Sequence, residues 1–392
     1  MKSRAAIAAL ASAASIASAV TFASSAMAAE VAPGAPMRTE LASFADAPKE
    51  VPKWVTAQVT CSQGLSGTVT LPDGTRKRVM VTAAHCIHGV EGDADQPVPE
   101  VYAPLLGDSK LIGVRDRGAP IVDSQPANTI IDPVDWSTVA LQDDVKLTRV
   151  ADSVDHQGRR HGKPVVLTSV KDHRDLREGE VSFDNFGQPI CKDGQTSGRT
   201  CGVQFMRTQN GVWFAGLVLS GDSGGINFNP VTGEAIGVTS LGFLGLLARA
   251  QPIDTALEAA YGIPDGKVNE RFSLPESTEP HTPMRTLSGE AKDVDQWVQA
   301  NRAHIPWVQE KFPENVAPEP IDMEAANSQA AMNFEAGLGE ITAQVQDTVN
   351  LIHDNPADIA SLPGNYQKGG EFLNKLVQNT VEGYVQAFEN QK

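Results

Sequence analysis

The sequence contains few cysteines, few aromatic residues and few positive charges. Its 392 residues include four cysteines, 6% aromatic residues, and 32 basic against 48 acidic residues, for a formal net charge of -16 at pH 7. Four cysteines are too few to hold together a small disulfide-built protein. The negative balance disfavours binding to nucleic acid or to anionic lipid surfaces. Beyond the N-terminus, no stretch reaches the roughly 18 apolar residues of a membrane span. We therefore expect no nucleic-acid partner and no integral membrane segment in the mature chain.

Residues 1–28 have the pattern of a secretory signal peptide. Lys2 and Arg4 give a positive start, an apolar run covers residues 5–22, and Ala-Met-Ala at 26–28 offers a cleavage site. We expect bacterial-type export and an extracellular location. Disulfides are the default state of cysteines in such an oxidising compartment.

The rest of the chain divides into three segments by composition. Residues 29–51 are rich in Ala, Pro and Glu and are interpreted as a short leader or disordered arm. Residues 52–264 alternate short apolar runs with Gly, Pro and Asp clusters, which is typical of an all-β domain. The expected strands lie at 54–60, 78–82, 137–141, 164–169 and 234–240, and a short helix is expected at 253–261.

Residues 265–392 differ from the preceding segment, because they lack cysteine and carry 20 acidic against 9 basic residues. A linker to about residue 286 and a helix at 290–301 are expected. Apolar stripes with helical spacing follow at 334–352 and 373–388. We interpret them as the core of an acidic helical C-terminal extension, which either packs on the preceding domain or binds a partner.

Three motifs in the β-rich segment together predict nucleophilic acyl transfer. His85 lies in VTAAHC at 81–86, Asp135 in DWSTVAL at 135–141, and Ser223 in GDSGG at 221–225. A serine hydroxyl needs a neutral imidazole to accept its proton, and a buried carboxylate must orient that imidazole. The glycines permit a tight turn in which the N–H groups of Gly221 and Ser223 form an oxyanion hole. We expect no cofactor.

Three alternatives compete with this interpretation. Asp132 is the second candidate for the acid, although Asp135 directly precedes an apolar strand. The serine motif also fits the Gly-x-Ser-x-Gly elbow of α/β-hydrolases, but that fold places the histidine after the serine. A metal site at the cysteines is disfavoured because no Cys-x-x-Cys pair exists.

These motifs resemble those of chymotrypsin-like (trypsin-fold) serine proteases. The bacterial branch that contains alpha-lytic protease and the streptogrisins is especially similar in CSQG at 61–64 and CKDGQTSGRTCG at 191–202. The resemblance covers residues 52–264. It implies an all-β double six-stranded barrel, followed here by the helical extension, and cleavage of peptide bonds. It also implies the disulfides Cys61–Cys86 and Cys191–Cys201.

The resemblance further implies where a protein or peptide substrate binds. The expected substrate-binding residues precede the serine or lie on a strand that pairs with the substrate: Leu217, Ser220, Ser240, Leu241 and Gly242. Because Leu217 stands where an acidic pocket residue would select Lys or Arg, we expect an apolar or small residue before the cleaved bond. No Arg-Ile-Val-Gly-Gly activation site occurs, so the partner of Asp222 stays open.

The expected function is therefore that of a secreted serine endopeptidase, acting through an acyl-enzyme. The alternative is a catalytically degenerate protease scaffold whose helical C-terminal region binds a partner or the cell wall. An intact set of three catalytic residues favours the enzyme, because function depends on sites rather than on folds.

Overall fold

A computed structural model describes residues 29–121, 132–243 and 247–313 of the chain. In chain order the strands are β1 (Glu30–Val31), β2 (Pro36–Leu41), β3 (Val59–Ser62), β4 (Leu65–Thr70), β5 (Arg76–Thr82), β6 (Pro97–Pro104), β7 (Ser109–Gly118), β8 (Ser137–Leu141), β9 (Lys146–Leu147), β10 (Val150–Ala151), β11 (Val165–Val166), β12 (Ser169–Val170), β13 (Pro189–Gly194), β14 (Gly198–Arg207), β15 (Val212–Ala215), β16 (Ile226–Phe228), β17 (Glu234–Phe243), β18 (Leu247–Pro252) and β19 (Phe272–Ser273). The helices are α1 (Lys53–Thr56), α2 (Ala84–Ile87), α3 (Ile253–Tyr261), α4 (Val268–Arg271), α5 (Leu287–Asn301) and α6 (Pro306–Lys311), with a 3₁₀ turn at Ala42–Phe44.

The first sheet forms a barrel whose two ends are joined by the chain itself. Its strand order is β19-β4-β5-β8-β7-β6-β2-β3. Only Gln63 and Gly64 separate β3 from β4, so the extended segment 59–70 pairs with β2 at one end of the sheet and with β5 at the other. Counting β3 and β4 as one strand, six strands close the ring. Buried Met37, Met80 and Val139 belong to its interior.

The second sheet closes into a six-stranded barrel in the order β17-β16-β13-β14-β15-β18, because β18 also pairs with β17. The short strand β12 adds to β17 in parallel. Buried Ile190, Phe214 and Ile236 form part of its core. The predicted fold class, an all-β double barrel followed by helices, is confirmed. Helix α3 and strand β8 have the bounds expected from the sequence.

The N-terminal segment differs from the expected leader or disordered arm. Strand β2 lies between β3 and β6 inside the first barrel, and every residue from 31 to 40 is buried. The sequence does not predict this strand, because Arg38 and Glu40 interrupt its apolar pattern. Both charges are buried beside partners, Arg38 with Glu290 and Glu40 with Lys53. The barrel therefore begins well before residue 52.

The start of the C-terminal segment contains the short helix α4 and a strand, neither of which the sequence indicated. Strand β19 pairs with β4, although residues 265–286 were expected to be a linker. The helix expected at 290–301 is confirmed as α5. Helices α5 and α6 pack through Val298 and Trp307 against Val55 of α1. The signal at 1–28 and the stripes at 334–352 and 373–388 lie outside the described residues. In the part of the chain that is described, no helix has the length and apolar character needed to cross a membrane.

Candidate active site

His85 and Asp135 lie close together because one follows the end of strand β5 and the other precedes the start of the neighbouring strand β8. Strand β5 ends three residues before His85, β8 begins two residues after Asp135, and the facing pair Thr82–Ser137 brings these points together. The His85 Nδ1 atom lies 2.9 Å from Asp135 Oδ2 and 3.2 Å from Oδ1. The backbone N–H of His85 donates to Oδ1 over 3.1 Å. The carboxylate thus orients the ring and leaves Nε2 to exchange a proton.

The second barrel supplies the remaining polar contacts of Asp135. The Ser240 hydroxyl, on β17, donates to Asp135 Oδ2 over 2.5 Å. The backbone N–H of Asp135 donates to the Gln251 Oε1 atom over 3.0 Å. Arg249 is fully buried and donates to Ser240 Oγ over 2.8 Å. The site is therefore built at the junction of the two barrels.

These contacts shift the pKa of both groups in opposite directions. Burial alone would raise the pKa of Asp135, but His85 and the Ser240 hydrogen bond outweigh it, so the pKa is lowered. Burial alone would lower the pKa of His85, but the Asp135 carboxylate outweighs it, so the pKa is raised above 6.5. The carboxylate therefore stays charged and can stabilise an imidazolium.

Asp132, the alternative acid, faces a different part of the structure. Its Oδ1 atom accepts hydrogen bonds from the Thr208 hydroxyl over 2.6 Å and from the Asn210 backbone N–H over 2.9 Å. Of the two candidate carboxylates, only Asp135 hydrogen-bonds His85.

Ser223 lies half-buried in the turn between β15 and β16 of the second barrel. The next residue, Gly224, has a φ of +79°, and a Cβ there would lie 2.2 Å from Thr82 Oγ1. Only glycine therefore permits this turn to approach the end of β5 so closely. The serine turn contacts the strand that leads directly to His85.

A disulfide and a backbone hydrogen bond connect the same two segments. Cys61 forms a disulfide with Cys86, which is adjacent to His85, and this bond confirms the predicted pair. The neighbouring Ser62 N–H donates to the Ser223 carbonyl over 2.8 Å. Among the described residues, the Ser223 hydroxyl makes no hydrogen bond to His85. Such contacts often tighten only when substrate binds.

The serine turn presents two backbone donors without acceptors. The N–H groups of Asp222, Gly224 and Gly225 donate to backbone carbonyls over 3.0, 2.7 and 2.9 Å. Within the described parts of the chain, the N–H groups of Gly221 and Ser223 have no acceptor. Since buried backbone donors are nearly always paired, two unpaired N–H groups beside one hydroxyl are well placed to bind an oxygen that carries negative charge.

Asp222 has a buried cation as its partner, which answers the question left open by the sequence. The Lys192 Nζ atom lies 2.7 Å from Asp222 Oδ2, and both side chains are fully buried. The N–H groups of Thr196 and Ser197 each donate to Oδ1 over 3.0 Å, and that of Leu219 donates to Oδ2 over 2.9 Å. These contacts fix the residue between the two unpaired donors.

The second predicted disulfide is also confirmed. Cys191 and Cys201 face each other across β13 and β14 and are bonded. The bond lies next to Lys192 and stiffens the hairpin that supplies the partner of Asp222.

The residues predicted to bind substrate lie on two adjacent segments. They are Leu217, Ser220, Ser240, Leu241 and Gly242. A Cβ on Gly242 would lie 2.9 Å from Val218 Cγ1, which shows how closely the segments approach. Leu217 is 39% exposed and does not belong to the barrel core. The Ser240 side chain, in contrast, is directed to Asp135 rather than to solvent.

The sequence did not identify Lys192 and Arg249 as members of the site. Arg249 is the single charged residue of β18 (LARAQP), and a charge within a largely apolar strand is a signal that it has a buried partner. Lys192 lies in a polar hairpin sequence, where nothing distinguishes it from a surface lysine.

Three solved structures are similar to this chain, and each aligns with 59% of it. They are a protease from Nocardiopsis (19% identity, TM-score 0.36, 97% of that chain covered), protease A from Thermobifida fusca (20%, 0.35, 96%) and a chymotrypsin from Cellulomonas bogoriensis (18%, 0.34, 96%). No family model and no curated protein matches the sequence.

Proposed function

We propose that the protein is a serine endopeptidase, with Ser223 as nucleophile, His85 as general base and Asp135 as the carboxylate that orients the imidazole. The observation that carries the proposal is the pair of unpaired N–H groups on Gly221 and Ser223, next to a hydroxyl and across from the His85–Asp135 pair. A structural turn would pair its donors, whereas an acyl-transfer site needs them for an oxyanion.

The reaction proceeds in two halves. Ser223 Oγ attacks the carbonyl carbon of the peptide bond while its proton passes to His85 Nε2. The carbonyl oxygen becomes an oxyanion that accepts hydrogen bonds from Gly221 and Ser223. The imidazolium then donates its proton to the amide nitrogen as the C–N bond breaks, which leaves an acyl ester on Ser223. Water deacylates this ester by the same route, with His85 again accepting a proton.

The substrate in this proposal is an extended peptide chain. The segment 240–242 lies at the site, and its backbone pairs with the substrate as an added strand. The pocket for the residue before the cleaved bond is formed next to Leu217, where we propose an apolar or small side chain. The proposal includes export of the enzyme by residues 1–28 and cleavage of that segment.

A fluorophosphonate probe tests the assignment directly. We expect the full chain to be labelled once, at Ser223, and to hydrolyse members of a peptide library. Both signals are lost in Ser223→Ala, because this variant lacks the proposed nucleophile.

The matched control is Ser273→Ala, which removes an exposed hydroxyl on β19 that donates to the Thr68 carbonyl over 3.3 Å. It retains labelling and hydrolysis. A properly folded wild-type chain that is neither labelled nor active would leave the degenerate scaffold as the better description.

A further inference from the structure

A buried arginine connects the C-terminal helix α5 to the first barrel. Arg38, on β2, is fully buried, and its Nε atom donates to Glu290 Oε2 over 2.7 Å. A second guanidinium nitrogen, Nη2, lies 2.5 Å from the same oxygen. Glu290 lies near the start of α5 and is 5% exposed. A carboxylate of the C-terminal segment is thus buried against strand β2 rather than exposed to solvent.

The same arginine continues into the second barrel. Its Nη1 atom donates to Gln195 Oε1 over 2.7 Å. Gln195 lies in the turn between β13 and β14 and is 2% exposed. Its side-chain nitrogen donates to the Cys61 carbonyl over 2.6 Å and to the Gly221 carbonyl over 3.3 Å. Three consecutive hydrogen bonds therefore run from Glu290 to Gly221.

The Gly221 carbonyl is the point at which this chain of contacts reaches the candidate active site. It also accepts from the Ser62 hydroxyl over 2.8 Å, and the Gln195 backbone N–H donates to that hydroxyl over 2.9 Å. Gly221 has a φ of +92°, and a Cβ there would lie 2.4 Å from Thr196 Oγ1. Glycine adopts this conformation without strain but also leaves it easily, so the external hydrogen bonds determine how the peptide is held.

We propose that helix α5 positions the oxyanion-binding turn through the relay Glu290–Arg38–Gln195–Gly221. The inference rests on the proposed function, because the two donors of that turn are those of Gly221 and Ser223. Glu290 is a positioning residue in this scheme. The segment 265–313 is then a working part of the enzyme rather than an appended partner-binding module.

The negative charge of Glu290 is essential to the relay. Burial lowers the pKa of Arg38, and the Glu290 carboxylate opposes that effect. Without the carboxylate, the guanidinium keeps only the carbonyl of Met37 and the Gln195 side chain as partners. A buried cation that has lost its counterion moves toward any remaining acceptor or toward water. Either movement changes the direction in which Gln195 presents its amide to Gly221.

Other contacts hold α5 in place when Glu290 is changed. The Thr286 hydroxyl caps the helix by accepting from the Gly289 N–H over 3.2 Å. Val298 is buried in the cluster with Val55 and Trp307. Glu290→Gln, which keeps the size of the side chain, is therefore expected to fold with α5 docked.

The experiment compares the full-length wild type with Glu290→Gln and Asp295→Asn. Asp295 is exposed on the same helix and bonds only to Gln299 of α5. Each protein is assayed for kcat and KM on a cleaved peptide amide, and for the Kd of the matching peptidyl boronic acid, whose adduct places an oxygen at the oxyanion site. We expect Glu290→Gln to lower kcat about tenfold at unchanged KM and to raise the boronate Kd by the same factor. Asp295→Asn matches the wild type.

If Glu290 contributed only to stability, Glu290→Gln would lower the Tm. It would leave the boronate Kd unchanged, and it would also leave unchanged the kcat per active site, where active sites are counted by boronate titration. That result would overturn the relay. If Glu290→Gln does not fold, Gln195→Met, which removes the amide that donates to the Gly221 carbonyl, replaces it, and an unchanged kcat there also overturns the relay. If the wild type shows no hydrolysis, or if its hydrolysis persists in Ser223→Ala, the proposed function is contradicted instead. The two failures are therefore distinguishable.

Discussion

At the residue scale, Asp135 acts on His85 both through charge and through hydrogen-bond geometry. Its carboxylate raises the pKa of His85 against the effect of burial, and its two oxygens contact Nδ1 and the backbone N–H. An imidazole held in this way carries its proton on Nδ1 and exposes Nε2 as the acceptor. The two effects have separate experimental signatures.

Asp135→Asn separates them. The amide retains the shape of the side chain but presents a donor to Nδ1, which favours the wrong tautomer, so we expect kcat to fall about 10⁴-fold. The pKa of His85 falls as well, because the carboxylate that raises it is gone while Arg249 remains. Because the free base is the active form, the acidic limb of the kcat/KM profile moves to lower pH.

Asp132→Asn is the matched control for this substitution. It removes a carboxylate three residues away that bonds to Thr208 and Asn210, and it keeps the wild-type profile. If Asp132→Asn instead abolished activity while Asp135→Asn did not, the assignment of the acid would be reversed.

How far the sequence identified these residues depends on whether each stands in a recognisable local motif. His85, Asp135 and Ser223 stand in local motifs whose neighbours constrain their chemistry, so they were predictable. Lys192 and Arg249 stand outside those motifs and act through Asp222 and Ser240. The apolar neighbours of Arg249 indicate a buried partner, whereas no local pattern distinguishes Lys192 from a surface lysine.

At the scale of elements, β8 was predictable, whereas the strand expected at 54–60 is helix α1 at its start, and strands with buried charge were not predicted. β8 and α3 match the expected bounds because their apolar positions keep a regular period. β2 contains Arg38 and Glu40, and β19 has only two residues, so neither shows a period. Their positions are determined by ion pairs and strand pairing that involve distant parts of the chain.

Helix α3 collects acidic side chains and predicts a pH-dependent stability. Asp254 and Glu258 are one turn apart, and Asp172, Asp175 and Asp265 lie near them, with His173 close to Asp254. Burial and the neighbouring carboxylates raise the pKa of Glu258 from 4.5 to about 8. Between these values the folded state keeps a proton that the unfolded state has lost, so stability declines as pH rises from about 4.5 to about 8.

Glu258→Gln, which cannot ionise, is expected to flatten that decline and to stabilise the protein at pH 8. Urea denaturation at half-unit pH steps measures it, with Glu91→Gln on an exposed loop of the first barrel as the control. A wild-type stability that rises across this window would show that Glu258 ionises normally.

At the scale of the whole molecule, the segments that flank the β-rich region are parts of the first barrel. β2 closes the ring between β3 and β6, β19 extends it beside β4, and Glu290 reaches the buried Arg38 of β2. Composition could not reveal this, because an Ala- and Pro-rich arm and a Pro- and Ser-rich linker have the character of connecting segments. What makes them structural is pairing with strands that are distant in sequence.

A chain that begins at residue 52 therefore lacks an interior strand, whereas a chain that begins at residue 29 has the complete ring. Loss of β2 leaves one edge of β3 and one edge of β6 unpaired. It also removes Met37 from the core, and it removes the contacts of Arg38 with Glu290 and Gln195. Since a barrel without one strand exposes two edges and its core, we expect the shorter chain to lose its cooperative urea transition and its near-UV circular dichroism. The residue-29 chain retains both. If the shorter chain unfolded cooperatively at the same urea concentration, residues 29–51 would be the dispensable arm that composition suggests, and the relay from Glu290 would have no route through Arg38.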